Sequence, residues 1–185
     1  GGPGAYGLGV SELAYIDILE RNDLYLFSDA WKDALRQWFY ETQDPATGFW
    51  GYRIGNSGRW RQNASLNTTW HVLHLVLDEK GENRSATYPL RYAGALGRSI
   101  LESLDTPIPD DPKKQHGWSL RQSQGARTIT KLLWAHLSDP EKEQARTAMR
   151  ALLASRYRLF RPTDGGFAMY TSAPQSDVDG TGTAI

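Results

Sequence analysis

Two short turns in this chain combine glycine with an aromatic residue, and each follows a segment of helical periodicity. The first spans residues 43–51 (QDPATGFWG), and the second opens the stretch 164–185 (DGGFAMYTSAPQSDVDGTGTAI). When Gly48-Phe49 is laid over Gly166-Phe167, both turns lead through a polar loop to a new helix start. Glycine permits the sharp turn, and the aromatic ring fills the space beside it. The pattern predicts a helical repeat whose units bury their apolar faces against one another.

Helical periodicity accounts for most of the remaining chain, and no stretch shows sustained strand alternation. The spacing of apolar residues and caps predicts helices over about 11–21, 28–42, 64–80, 85–104, 119–137 and 138–157, followed by the start of a seventh. Residues 105–117, with three prolines, are predicted to form a surface loop. The expected fold class is therefore all-α.

The helices alternate between two types. Those over 64–80 and 119–137 are apolar nearly all round, which is typical of buried helices, whereas 28–42 and 140–157 are amphipathic. This alternation favours an α/α toroid, in which inner helices surround a central axis and outer helices face water. Three hairpins make about half of a six-hairpin ring. Residues 1–185 are thus expected to be one domain of α/α hairpins that is a fragment of a longer barrel or closes by self-association.

Composition excludes several functions. The chain carries 21 Lys and Arg against 21 Asp and Glu, so it lacks the basic surplus that nucleic-acid binding favours. It has no cysteine, and no apolar run is long enough for a transmembrane segment. His71 and His74 lack a carboxylate at metal-ligand spacing, so neither a metal nor a cofactor is expected.

Two motifs resemble those of the terpenoid cyclases. Residues 36–51, in which Gln43 is followed after four residues by Gly48-Phe49-Trp50, resemble the QW repeat, which in that family joins outer helices of α/α barrels. The tail is similar to the stretch of squalene-hopene-type (class II) cyclases in which a Gly-Gly-aromatic turn precedes Asp-Val-Asp-Asp-Thr-Ala. Here Gly180 stands where that motif has its last aspartate. The resemblance extends to prenyltransferase-like barrels.

The resemblance implies acid-initiated cyclisation of an isoprenoid, with Asp179 as the acid and Asp177 as the carboxylate that keeps it protonated. Aromatic faces would stabilise the cation. The candidates for these ligand contacts are Trp50, Trp70, Trp118, Phe167 and Tyr170. The same two aspartates also match a helix cap, because Asp before Gly-Thr is a common start signal.

Asn67 and His71 lie four residues apart and therefore share a helix face with Trp70 nearby. An amide and an imidazole lining a central cavity would suit a carbohydrate-active toroid enzyme, either a polysaccharide lyase or a glycosidase, with Tyr170 as a further candidate. The expected ligand is then an oligosaccharide rather than another small molecule. Two alternatives stay open: His71 and His74 as interior histidines, and a non-catalytic interaction or structural domain.

Overall fold

The computed structural model describes residue 13 and residues 15–51, 66–104 and 106–183, without the side chains of Asp179 and Thr183. The described chain is mostly helical, which confirms the all-α class. Its α-helices are α1 (Tyr15–Arg21), α2 (Asp29–Thr42), α3 (Leu66–Val76), α4 (Ala93–Leu104), α5 (Pro112–Arg127), α6 (Asp139–Tyr157) and α7 (Val178–Thr183). A π-helical segment (Thr128–Leu133) and a 3-10 turn (Trp134–His136) extend α5. Strands β1 (Phe160–Arg161) and β2 (Gly166–Phe167) form a short antiparallel pair.

Helices α2 and α6 begin where their caps predict. The Ser28 hydroxyl accepts a hydrogen bond from the Trp31 N–H at the start of α2. At the start of α6, the backbone N–H and the hydroxyl of Ser138 both donate to the Glu141 carboxylate. These bonds satisfy backbone groups that a helix end leaves unpaired, so each cap fixes the position of its helix.

Several predicted boundaries are wrong. The helix expected over 85–104 begins only at Ala93, because upstream side chains hold the backbone in another conformation. Ser85 Oγ accepts from Tyr88 N–H at 3.2 Å, and Asn83 Oδ1 accepts from Leu90 N–H at 2.8 Å. Pro89 therefore lies outside the first turn of α4.

The second error is the loop expected over 105–117, because α5 already begins within it at Pro112. The Asp111 carboxylate caps this helix by accepting from Lys113 N–H at 3.0 Å, and Pro112 occupies the first helical position, where no backbone donor is required. The cluster of prolines concealed a helix start in which Asp111 is the cap and Pro112 is the first helical residue.

The helix predicted over 119–137 is α-helical only as far as Arg127 and then becomes the π segment. The helix predicted over 64–80 ends at Val76, and Leu77 instead bridges to Asn83. No helix among the described residues is both long and apolar enough to cross a bilayer.

Helix α3 runs beside the end of α5 and its π-helical extension, in the same direction. Near the start of α3, Asn67 Oδ1 accepts from Gln124 Nε2, three residues before the end of α5, at 2.6 Å. Further along both segments, the His136 Nε2 donates to the Gly81 carbonyl at 3.2 Å. Helix α4 packs against both α5 and α6, and α7 packs against α5. The core between these helices is built mainly from leucine, isoleucine and valine.

The two Gly-aromatic turns share one backbone conformation. Gly48 and Gly165 both have φ of +73°. The Gly48 N–H donates to the Asp44 carbonyl, as the Gly165 N–H does to the Arg161 carbonyl. Gly48 therefore corresponds to Gly165, so the superposition on Gly166 is wrong by one residue.

With this register, the aromatic residues Trp50 and Phe167 become equivalent. The Trp50 N–H donates to the Thr69 hydroxyl at 3.0 Å, and the Phe167 N–H donates to the Thr181 hydroxyl at 3.1 Å. Each turn is thus fastened to the first turn of the following helix, α3 or α7, by a threonine. We call each turn with its threonine a joint: joint 1 ends at Thr69 and joint 2 at Thr181.

Candidate functional site

A cleft of about 940 Å³ lies between α3, the α5–π helix and α6. Its walls are mainly apolar and come from Trp70, Ala126, Leu132, Met149, Leu152 and Leu153. Arg127, Lys131 and Arg156 add positive charge, Glu79 adds negative charge, and His74 and Thr130 complete the lining. The volume is in the range typical of small-molecule sites, and the mixture suits a largely apolar ligand.

The polar residues beside this cleft form two matching stripes. Helix α3 contributes Asn67, Trp70 and His71, and helix α5 contributes Gln124, Arg127 and the adjoining Thr128 at the same spacing. Because the helices are parallel and Asn67 meets Gln124, the two stripes run in step. Trp70 and Arg127 line the cleft, and the amide pair, the imidazole and the hydroxyl belong to the same two stripes beside it.

The two histidines of α3 are partly buried. Burial lowers the pKa of His71 below its ordinary value of 6.5. Burial also lowers the pKa of His74, and the neighbouring His71 and Arg84 add to that effect. The His74 ring meets the Trp70 ring edge-on, with centroids 4.6 Å apart. Both imidazoles are therefore neutral at pH 7 and can act as acceptors or bases.

Three buried polar atoms along the stripes have no hydrogen-bond partner in the described part of the chain. They are His71 Nδ1, Gln124 Oε1 and Thr128 Oγ1. Thr128 is 0 % exposed and opens the π segment. Segments of π-helix are rare and occur frequently at functional sites.

Asp177 acts as the cap of α7. One carboxylate oxygen accepts from the Met169 N–H at 2.7 Å, and the other accepts from the Gly180 N–H. Asp179 lies within the first turn of α7, and its side chain is outside the described residues. A Cβ atom at position 180 would lie 2.5 Å from Met169 N and from Phe167 O, so an aspartate does not fit where the cyclase motif has its last one.

Two of the predicted aromatic contacts belong to the packing instead. Trp50 is 1 % exposed and donates its indole N–H to the Phe39 carbonyl at 2.7 Å. Trp118 is 2 % exposed and donates to the Thr106 carbonyl at 2.9 Å, beneath the guanidinium of Arg156. Neither ring lines the cleft.

Phe167 and Tyr170 also lie apart from the cleft. The Phe167 ring packs against Phe160 with centroids 5.2 Å apart. Tyr170 is 36 % exposed, and its carbonyl accepts from the Arg161 guanidinium at 3.0 Å. Of the residues predicted for ligand contact, the structure therefore groups Asn67, Trp70 and His71.

Gln124, Arg127 and Thr128 were not among the predicted site residues. The available signal was the spacing of polar residues within a helix predicted to be buried, which repeats the spacing of Asn67, Trp70 and His71. The described residues contain no group of three or more potential metal ligands.

Comparison with known proteins gives no relative: no family model, curated protein or solved structure matches the chain.

Proposed function

We propose that this chain is an α/α-toroid domain of the terpenoid-cyclase type whose cleft binds an isoprenoid ligand. The observation that carries the proposal is the cleft itself, with an apolar wall of leucine and methionine side chains facing Trp70. A branched hydrocarbon chain buries its surface favourably in such a site, and an indole face stabilises a carbocation.

The packing of the helices supports the toroid. Helices α3, α5 and α7 pack in sequence as inner helices would, while α4 and α6 pack against each other as outer helices would. The Gln43 side chain joins α2 to α4: its Nε2 donates to the Gly48 carbonyl at 2.8 Å and its Oε1 accepts from the Tyr92 N–H at 3.1 Å. This is the role that the QW resemblance implies.

The proposed chemistry is protonation of an alkene or epoxide by Asp179, followed by ring closure and loss of a proton. The proton of the carboxylic acid moves to the substrate, which becomes a carbocation, and a later deprotonation restores the charge balance. Asp177 holds the start of α7 through its two backbone contacts and so positions the helix that carries Asp179.

Binding tests the proposal directly. Squalene and farnesol, presented in detergent, are expected to change the tryptophan fluorescence in a saturable manner. Trp70→Leu is expected to weaken binding about tenfold, whereas Trp31→Leu, a change at an exposed residue of α2, leaves it unaltered. Absence of saturable binding by either compound would refute the isoprenoid ligand.

Cyclisation requires its own test. Incubation with squalene, oxidosqualene or geranylgeranyl diphosphate, followed by gas chromatography and mass spectrometry (after phosphatase treatment for the diphosphate), is expected to yield a cyclic product that Asp179→Asn abolishes. Binding without a cyclic product would leave a non-catalytic isoprenoid-binding domain.

A carbohydrate-active function is the second candidate, and a specific observation favours it. Asn67 and neutral His71 share a face with Arg127 opposite, so an amide and a cation could neutralise a uronate while the imidazole removes a proton. Polygalacturonate or alginate would then give unsaturated products that absorb ultraviolet light. No such increase, with wild-type protein at neutral pH, would eliminate this candidate.

A further inference from the structure

We propose that the seam between α3 and the π segment is a subsite for a hydroxyl group of the ligand, formed by His71, Gln124 and Thr128. The inference rests on the proposed isoprenoid cleft and specifies its substrate class. The ligand is an apolar isoprenoid that carries an alcohol, rather than a pure hydrocarbon or an isoprenoid with only an anionic head.

Hydrogen bonding is the first reason. His71 Nδ1, Gln124 Oε1 and Thr128 Oγ1 are buried and have no partner among the described residues. Leaving a buried polar atom unpaired is energetically costly, and most such atoms in native proteins are paired. Three of them on one pair of helices form a cluster with which a polar group of a ligand can pair.

Their position is the second reason. The 2.6 Å bond between Gln124 Nε2 and Asn67 Oδ1 fixes the level at which α3 and α5 meet. His71 and Thr128 each lie four residues further on, about 6 Å along parallel helices, and so lie level with each other. Gln124 Oε1 belongs to the same side-chain amide whose nitrogen bonds to Asn67, so this bond also fixes where the oxygen lies along the two helices.

The seam adjoins the cleft. Trp70, next to His71, and Arg127, next to Thr128, both line it. A ligand whose hydrocarbon part lies against the apolar wall can therefore direct a polar end between the two helices.

The hydrogen-bonding properties of the three atoms determine which kind of ligand group can pair with all of them. Gln124 Oε1 only accepts hydrogen bonds, so the ligand must donate. The Thr128 hydroxyl and the neutral imidazole of His71 can each donate or accept. A hydroxyl group donates once and accepts twice, which suits all three, whereas a carboxylate or a fully ionised phosphate has no hydrogen to give to the amide oxygen.

A matched ligand pair tests the subsite. Farnesol and the hydrocarbon of the same chain, in which hydrogen replaces the hydroxyl, are titrated separately into the wild-type chain. The expected result is about tenfold tighter binding of the alcohol, the ratio that one net hydrogen bond of ordinary strength produces. Thr128→Val, which removes only the hydroxyl donor and acceptor, should reduce this ratio severalfold, and Thr128→Ser should restore it.

Controls separate the possible outcomes. Thr42→Val, on the exposed end of α2, should keep the wild-type ratio. If Thr128→Val does not fold, Gln124→Met removes the acceptor and should reduce the ratio in the same way. Equal binding of alcohol and hydrocarbon by the wild type would show that the seam holds only water; this result overturns the subsite but leaves the isoprenoid cleft intact. Binding of neither compound overturns both.

Discussion

Joint 1 and joint 2 have the same backbone conformation but are supported by different side chains. In joint 1, the support is a packed interior: Trp50 is buried against Phe39, and the Gln43 amide bonds to the turn and to the residue before α4. In joint 2, the support is polar and lies nearer the surface. The Arg161 guanidinium donates to the carbonyls of Tyr170, Thr171 and Ala173, which holds the loop that leads to α7.

The difference shows which parts of the joint are essential to the turn and which vary with its surroundings. A left-handed glycine and a threonine that receives the aromatic residue's N–H are common to both. Which aromatic residue lies in the joint, and which side chain supports the turn, depends on whether a neighbouring helix covers the joint. Substitutions at matched positions should therefore have unequal effects, larger in joint 1.

The largest difference is expected for the aromatic residues. Trp50→Ala leaves a cavity in the core and removes the donor to the Phe39 carbonyl, so it should lower the free energy of unfolding by about 4 kcal/mol. Phe167→Ala, at a partly exposed ring, should cost about 2 kcal/mol. Urea unfolding followed by circular dichroism measures both, and equal losses would contradict the distinction between the joints.

The glycines with positive φ provide the next comparison. A Cβ atom at Gly48 would lie 2.5 Å from Leu96 N and Cβ, whereas a Cβ atom at Gly165 would meet nothing within 4 Å. Gly48→Ala should destabilise the protein by about 3 kcal/mol through strain and overlap, and Gly165→Ala by about 1 kcal/mol through strain alone. The shift in thermal midpoint should rank them in that order; the reverse order would mean that joint 2 is the more tightly packed.

The threonines allow a smaller and more specific test. Thr69 is buried, so Thr69→Val leaves the Trp50 N–H without its acceptor and should cost about 2 kcal/mol. Thr181 is exposed, and water can replace its hydroxyl in Thr181→Val, for a cost of about 0.5 kcal/mol. Amide hydrogen exchange should become faster at Trp50 in Thr69→Val and at Phe167 in Thr181→Val, and urea unfolding gives the cost of each change. A larger loss of stability in Thr181→Val than in Thr69→Val would be the opposite of what we expect.

Acid should affect joint 2 through Asp164. A hydrogen bond from the Ser176 N–H, with a second from Gly166 N–H, lowers the pKa of this carboxyl below its usual 3.8. The unfolded chain therefore takes up the proton first, and the stabilisation present above pH 3.8 is lost as the pH falls through the lowered pKa. Unfolding midpoints between pH 5 and pH 2.5 should fall less steeply in Asp164→Asn than in the wild type, and identical slopes would exclude this contribution.

Local signals in the sequence predict the parts of the fold that local chemistry determines. Ser28 and the Ser138–Glu141 pair fix the starts of α2 and α6 because a cap acts within a few residues. The start of α4 was missed because Asn83 and Ser85 compete for the backbone, which no periodicity reveals. The Asp111-Pro112 start was available in the sequence but was concealed by the neighbouring prolines.

The candidate site could be predicted only in part, for a related reason. Asn67, Trp70 and His71 belong to one helix, so their spacing alone places them together. Gln124 and Thr128 join them only because α3 and α5 run parallel in one particular register, which the bond between Asn67 and Gln124 sets across 57 residues of chain. The aromatic residues Trp50 and Trp118 were assigned to a ligand because composition does not distinguish a core ring from a cavity ring.

The π segment has a consequence for how this chain tolerates changes in length. Each of its hydrogen bonds spans one residue more than an α-helical bond, so Thr128–Leu133 contains a residue that a regular helix would not need. Deleting one residue there would restore regular α-helical winding and leave the residues that follow close to their present orientation. A deletion within the α-helical part of α5 would instead rotate everything beyond it by about 100° and turn His136 away from the Gly81 carbonyl. A shortening by one residue should therefore be tolerated better in the π segment than in α5.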